Sequence, residues 1–187
     1  MMKSTGFKIE NVVSTTKLSD NFDLNDIKSK LENAEYNKSR FPGLVFRMKD
    51  PKAVFLLFNS GKVVCTGCKS IEDANKSGEM LNKKLVDLGI KTAGNYKVTI
   101  QNKVASAVLG DVLNLNAVAL GLGMENIEYE PEQFPGLVYR MFDPKVVILL
   151  FGSGKLVITG GKSPKDCENA LIRIRNMLFN LNLLSQP

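Results

Sequence analysis

The chain contains no histidine, which removes the commonest general base and a frequent metal ligand. It has three cysteines, an odd number that fits free thiols in a reducing compartment better than a disulfide framework. No apolar run reaches the roughly 18 residues a membrane span needs. The opening MMKSTGFKIE lacks the apolar stretch of a signal peptide, so the expectation is an intracellular, cytoplasmic chain without a membrane partner. The chemical motifs are incomplete. Cys65-Thr66-Gly67-Cys68 supplies two zinc-type ligands, Cys167 a third and nothing a fourth, so structural thiols are the expectation. Gly161-Lys162-Ser163 resembles the end of a phosphate loop, but the pattern needs glycine where Leu156 stands. Gly121 and Gly123 are spaced like part of a dinucleotide loop yet follow no strand. A carboxylate-based hydrolase would have to use Asp50 and Asp143, both in Asp-Pro turns. The reading is a chain that is not an enzyme, with no cofactor, metal or small-molecule substrate.

What is present is a duplication. Phe41–Ser70 (FPGLVFRMKDPKAVFLLFNSGKVVCTGCKS) returns as Phe134–Ser163 (FPGLVYRMFDPKVVILLFGSGKLVITGGKS) at an offset of 93 residues, with 22 of 30 positions identical. A period this long suits a small α+β half-domain rather than a solenoid unit. At 187 residues the chain has room for two such halves, 1–93 and 94–187, paired about a pseudo-two-fold axis in one intimate domain. Net charge of +6 and a pI near 9.2 permit a polyanionic partner without demanding one. The charge is uneven, +5 over residues 1–93 and +1 over 94–187.

Lys8–Lys17 is rich in β-branched residues and reads as a strand. Asp23 is placed to cap a short helix carrying Leu24, Ile27 and Leu31 on one face. Ala34–Asn37 leads into the repeated block, where Leu44–Met48, Ala53–Phe58 and Lys62–Thr66 are strands joined by tight turns. Ser70 caps a helix to about Leu88 with an apolar stripe of Ala74, Gly78, Leu81, Leu85 and Leu88, and Gly89 stops it. The second half replays this with a strand at Lys97–Ser106, a helix from Asn114 through Leu120, and strands at Leu137–Met141, Val146–Phe151 and Lys155–Thr159. Its last helix is capped by Ser163, with Pro164 at the first position and a stripe of Cys167, Leu171, Ile174, Leu178 and Leu181.

These strands are apolar on both faces. Val54, Leu56 and Phe58 face opposite to Ala53, Phe55 and Leu57, where a sheet with one wet face would alternate with polar residues. One long helix per half covers one face only. The other is either buried by dimerisation or kept for a ligand. Its rim repeats the cations Arg47, Lys62 and Lys69 as Arg140, Lys155 and Lys162, which suits a surface that meets base edges while neutralising phosphates. A sheet floor does not enter a major groove but lies along a widened minor groove. Phe41, Phe58, Phe134 and Phe151, paired at matching places in each half, are positioned as wedges between base steps.

The doubled FPGLVxRM, the LLFxSGK hairpins, the VxTGxKS strand ends, IENVVST, IQNKVAS and YEPEQFPG together resemble the TATA-box-binding protein family, roughly from Ile9 to Leu181. The resemblance implies an α+β fold: a pseudo-two-fold saddle of two tandem repeats, with a ten-stranded antiparallel sheet and four helices on the convex side. It implies a general transcription factor that binds and kinks the minor groove of A·T-rich promoter DNA, a behaviour for which this family is the standing example. With no long N-terminal extension the chain is similar to archaeal members; a eukaryotic one would be nuclear. Carried over, the wedges are Phe41 with Phe58 and Phe134 with Phe151, and the central base contacts are Asn11 and Asn102. The floor is Val13, Leu56, Val64, Thr66, Val104, Leu149, Val157 and Thr159. The phosphate contacts are Arg47, Lys62, Lys69, Arg140, Lys155 and Lys162. An asparagine amide donor suits adenine N3 or thymine O2, while the N2 amino group of guanine obstructs it. Glu130, Glu132 and Gln133 are the implied docking loop for transcription factor B, through which RNA polymerase is recruited. Residues 128–133 sum to −3 where residues 35–40 sum to +1. A relative that keeps the saddle but serves as a protein-interaction scaffold is the alternative, opposed by the presence of both asparagines and all four wedges. Two departures stand out: the basic entry Asn37–Arg40, and Lys103, which alternation turns toward the helices as a costly core lysine unless it snorkels.

Overall fold

Hydrogen bonding, rather than composition, decides where the expected elements end. In the computed structural model, which describes residues 6–186, the β-branched run forms β1 (Lys8–Lys17) as read. Residues 1–5, which carry half of the supposed leader-free opening, and Pro187 lie outside the described residues. Asp23 Oδ1 accepts the N–H groups of Asn25 and Asp26 at 3.0 and 3.1 Å and starts α1 (Leu24–Lys30). Ala34–Glu35 forms a two-residue edge strand, β2. The repeated block folds as β3 (Leu44–Met48), β4 (Ala53–Leu57), β5 (Lys62–Cys68) and α2 (Ile71–Asp87).

In the second repeat β6 spans Thr99–Val108, two residues later at each end than the periodicity suggested, because Val108 still pairs with Lys155. There follow α3 (Leu115–Leu122), a 3-10 turn at Met124–Asn126, and the edge strand β7 (Ile127–Glu128). The chain closes with β8 (Leu137–Phe142), β9 (Lys145–Leu150), β10 (Lys155–Gly161) and α4 (Pro164–Asn180). Ser163 and Asp166 form a reciprocal capping box at the start of α4.

Packing divides the chain into two units: Asn11–Gln101, and the described parts of Met1–Glu10 with Asn102–Pro187. The fold thus has ten antiparallel strands and four helices in two tandem repeats. The first repeat orders its strands β2-β3-β4-β5-β1 and the second β6-β10-β9-β8-β7. No helix among the described residues is long and apolar enough to cross a membrane.

The alternation the sequence hid appears in the burial. In β4, Ala53, Phe55 and Leu57 are buried while Val54 and Leu56 are half-exposed. The buried row Leu44, Leu57 and Val63 is in register, as are Phe46, Phe55 and Cys65. Leu81 and Leu85 of α2 are fully buried, and each side chain of this size contributes about 1.5–3 kcal/mol. In the second unit Leu137, Leu150 and Leu156 are buried together with Leu171, Ile174 and Leu178 of α4. The final stripe positions depart from expectation. Leu88 is half-buried and Leu181 is 38% exposed, because both are helix caps beyond the last full turn.

Candidate nucleic-acid interface

Each unit bends one strand to build its central polar group. Between Val12↔Cys68 and Ser14↔Cys65 the β1–β5 register slips by one residue, so Thr66 and Gly67 stand opposite Val13 alone. This is a β-bulge, and Gly67 at φ +91° adopts the left-handed conformation it needs. The freed Gly67 N–H donates to Asn11 Oδ1 at 2.7 Å, while Asn11 Nδ2 donates to Thr66 Oγ1 at 3.0 Å. The second unit repeats it. Gly160 at φ +94° donates to Asn102 Oδ1 at 2.6 Å, and Asn102 Nδ2 donates to Thr159 Oγ1 at 3.3 Å.

A backbone N–H can only donate, so it fixes each amide with its oxygen turned into the protein. One of the two Nδ2 protons is then left for an outside acceptor. That is the chemistry of reading A·T pairs from the minor-groove side.

The rings form two pairs. Phe41 and Phe58 meet edge to face with centroids 5.9 Å apart at 66°; Phe134 and Phe151 do so at 5.9 Å and 70°. Phe41 is 36% and Phe134 39% exposed. The glycine of FPG makes the slot: a Cβ on Gly43 would come within 2.7 Å of Phe41 Cε1 and 3.0 Å of Phe58 Cε1. Gly136 has the same relation to Phe134 and Phe151.

The floor residues named from sequence share one face in each unit. Leu56 and Val64 are in register, and Thr66 lies opposite Val54. In the second unit Val157 pairs with Leu149, and Thr159 with Val147. Val13 and Val104 are half-exposed opposite the bulges. Val54, which strand parity already put on the uncovered face, and Val147, Val45 and Val138 lie in the same half-exposed rows, though none was among the expected contacts.

Of the six cations, Lys62, Lys69, Lys155 and Lys162 are exposed and outside the salt bridges of the described residues. The arginines are engaged. Arg140 Nη2 donates to Glu128 Oε1 at 2.9 Å, and Arg47 Nε lies 3.8 Å from Glu35. Nothing in the sequence spacing pointed to these edge-strand carboxylates. They hold the arginines in exposed ion pairs.

Glu130, Glu132 and Gln133 are exposed on the turn before Phe134, where the Glu130 carbonyl accepts the Gln133 and Phe134 N–H groups at 3.0 and 2.9 Å. Asp50 and Asp143 are exposed at hairpin turns, and Asp143 Oδ2 accepts from Arg173 at 3.0 Å. Lys103 does not snorkel. It is 1% exposed on the core face, where burial lowers its pKa, partly offset by the nearby Cys167 and Asp166.

Duplicated strands thus present, in each unit, a half-exposed face with one oriented amide and one ring pair, in a tandem-repeat fold. Known proteins agree on what that fold is. The family model described as transcription factor TFIID (or TATA-binding protein, TBP) matches residues 6–88 and again 97–181, and the chain belongs to this family. It is 60% identical over 183 residues to TATA-box-binding protein 1 of Methanosarcina acetivorans, covering 98% of this chain and 100% of that protein. The TATA-box-binding protein of Archaeoglobus fulgidus is 55% identical with the same coverage. The solved TBP of Methanococcus jannaschii superposes with a TM-score of 0.84 at 52% identity, covering 93% of this chain and 98% of that one.

Proposed function

We propose that this chain is a DNA-binding general transcription factor that reads A·T-rich promoter duplexes from the minor groove, each unit supplying one half of the contact. The observation that carries the reading is the pair of asparagines whose amide oxygens are held by Gly67 and Gly160 N–H groups. Each leaves a donor for adenine N3 or thymine O2 and meets an obstruction at the guanine amino group. Phe41 with Phe58 and Phe134 with Phe151 act as wedges that unstack base steps at the two ends of the site. The four exposed lysines, and the two arginines once released from Glu35 and Glu128, neutralise phosphates.

Fluorescence anisotropy tests this with three duplexes of one length: A·T-rich, G·C-substituted at the centre, and the same substitution made with inosine. The inosine duplex lacks the N2 amino group. It should bind as the A·T duplex does, while each G·C pair weakens binding by about 1–3 kcal/mol. Equal binding to all three at moderate salt overturns the reading.

We infer the partner from the family resemblance, and the charge of the turn supports it. The acidic turn at Glu130, Glu132 and Gln133 docks a basic surface on transcription factor B, which brings RNA polymerase to one end of an otherwise two-fold complex. Attraction of this kind acts mainly on association rate and weakens with salt. Reversing Glu130 and Glu132 to lysine should abolish the ternary complex and spare the binary one, as read by mobility shift at low salt. Assembly of the ternary complex by the reversed variant removes this docking site.

A further inference from the structure

The two thiols of β5 have no part in the contacts above, and the fold brings them together. Cys65 and Cys68 Sγ atoms lie 3.8 Å apart, both side chains are buried, and Cys68 Sγ is also 3.8 Å from Ser77 Oγ on α2. In a regular strand, residues three apart point to opposite faces and sit about 10 Å from one another. The bulge removes both obstacles. Cys65 pairs with Ser14 and Cys68 with Val12, so three steps of β5 run beside two steps of β1. Two strand rises place their Cα atoms about 6.6 Å apart, within the roughly 4.4–6.8 Å span that a disulfide accepts. The residues between them are Thr66 and Gly67, which hold Asn11.

We propose that Cys65 and Cys68 form a modification site, oxidised by a small peroxide to an intrachain disulfide that releases Asn11 and weakens DNA binding through the first repeat. The proposal rests on the DNA-binding reading above. The sulfur of Cys68 attacks one peroxide oxygen; the O–O bond breaks, hydroxide leaves and takes the thiol proton as water, and a sulfenic acid remains. The sulfur of Cys65 then displaces that hydroxyl, which departs with the second thiol proton as a second water. Two thiols and one hydrogen peroxide thus give one disulfide and two waters. Burial, with Cys68 beside it, pushes the Cys65 thiol up to about 12.

Closing the bond draws the sulfurs together by about 1.8 Å. The short segment between them takes up that movement, and Gly67 is its most pliable member. The second repeat is a built-in control. Asn102 is held the same way, but Ile158 and Gly161 occupy the places of Cys65 and Cys68.

The full chain is treated with hydrogen peroxide, quenched, and split between intact mass measurement with thiol alkylation and anisotropy on the A·T duplex. The expected result is a loss of about 2 Da, two fewer alkylated thiols with Cys167 still free, and at least tenfold weaker binding that dithiothreitol restores. Cys68→Ala should bind like the reduced wild type and lose its peroxide response. A disulfide formed with unchanged affinity, or sulfinic acid formed without a disulfide, overturns the proposal. The reduced arm reports separately on the functional reading: a reduced protein with no preference for the A·T duplex overturns that reading, and the switch with it.

Discussion

The two repeats agree across their half-exposed sheet face and differ at particular places in their cores. Asn11 and Asn102, the valines, the threonines, the ring pairs and all six cations occupy matching places. The core has instead been refilled. The first unit has Cys68 on the strand and Ala74 on the helix, whereas the second has Gly161 and Cys167 at those positions. A Cβ on Gly161 would meet Cys167 Sγ at 2.8 Å, so the thiol has moved from strand to helix while the space stays filled. Val12 corresponds to Lys103 and Ser77 to Ala170, all buried, while on the exposed helix face Met80 corresponds to Arg173, which ties α4 to Asp143. A core needs only the right volume and no unpaired polar group. A face that meets a ligand needs particular donors in particular places.

The comparison can be broken most severely at the amides. Asn11→Asp keeps the acceptor for Gly67 N–H and loses the donor for the base, and Asn102→Asp does the same in the other unit. Each should weaken binding to the A·T duplex by about 3 kcal/mol or more, given a buried carboxylate against a base acceptor. The two effects should be equal, with folding midpoints little changed. Unequal losses by anisotropy would mean that the matching faces do not do matching work.

Next comes the exchanged thiol. Gly161→Cys copies the first repeat into a space already occupied and should destabilise by about 1–3 kcal/mol in urea unfolding. Combining it with Cys167→Ala should restore most of that loss. Simple additivity of the two would show that the cores are not compensated as the geometry indicates.

Lys103 sharpens the contrast with Val12. Its folded pKa lies below its ordinary value of 10.5 because of burial. The unfolded chain therefore binds more protons between the folded and unfolded pKa values, and stability rises with pH through that alkaline window. At neutral pH the penalty is fully present. Lys103→Met should stabilise by about 1–2 kcal/mol and flatten the alkaline rise, whereas Val12→Lys should do the reverse. A destabilised Lys103→Met would mean that the ammonium is better satisfied than its surroundings suggest.

The smallest effects belong to the rim. Lys62→Ala and Lys155→Ala should each lower the salt slope of DNA binding by about one unit without altering base preference. A difference between the two would mark one unit as carrying more of the phosphate contact.

Much of this molecule is readable along the chain because it is local. A 93-residue repeat needs only comparison of the chain with itself. Helix starts follow from Asp23, Ser70, Asn114 and Ser163, whose side chains cap backbone within three residues of themselves. Strands apolar on both faces announce a second face that the helices leave uncovered, and the resemblance then names the residues on it. What the sequence left out lies across strands. The bulges that orient Asn11 and Asn102 depend on register between segments 55 or more residues apart. Glu128 reaches Arg140 only because β7 pairs with β8, and Cys65 reaches Cys68 only because the bulge shortens the path between them. Local propensity, capping and alternation act through neighbours in the chain, so the sequence by itself determined the elements, their faces and their doubling. Amide orientation, ion pairing and the exchange of a thiol between strand and helix act through space, and only the tertiary structure decided them.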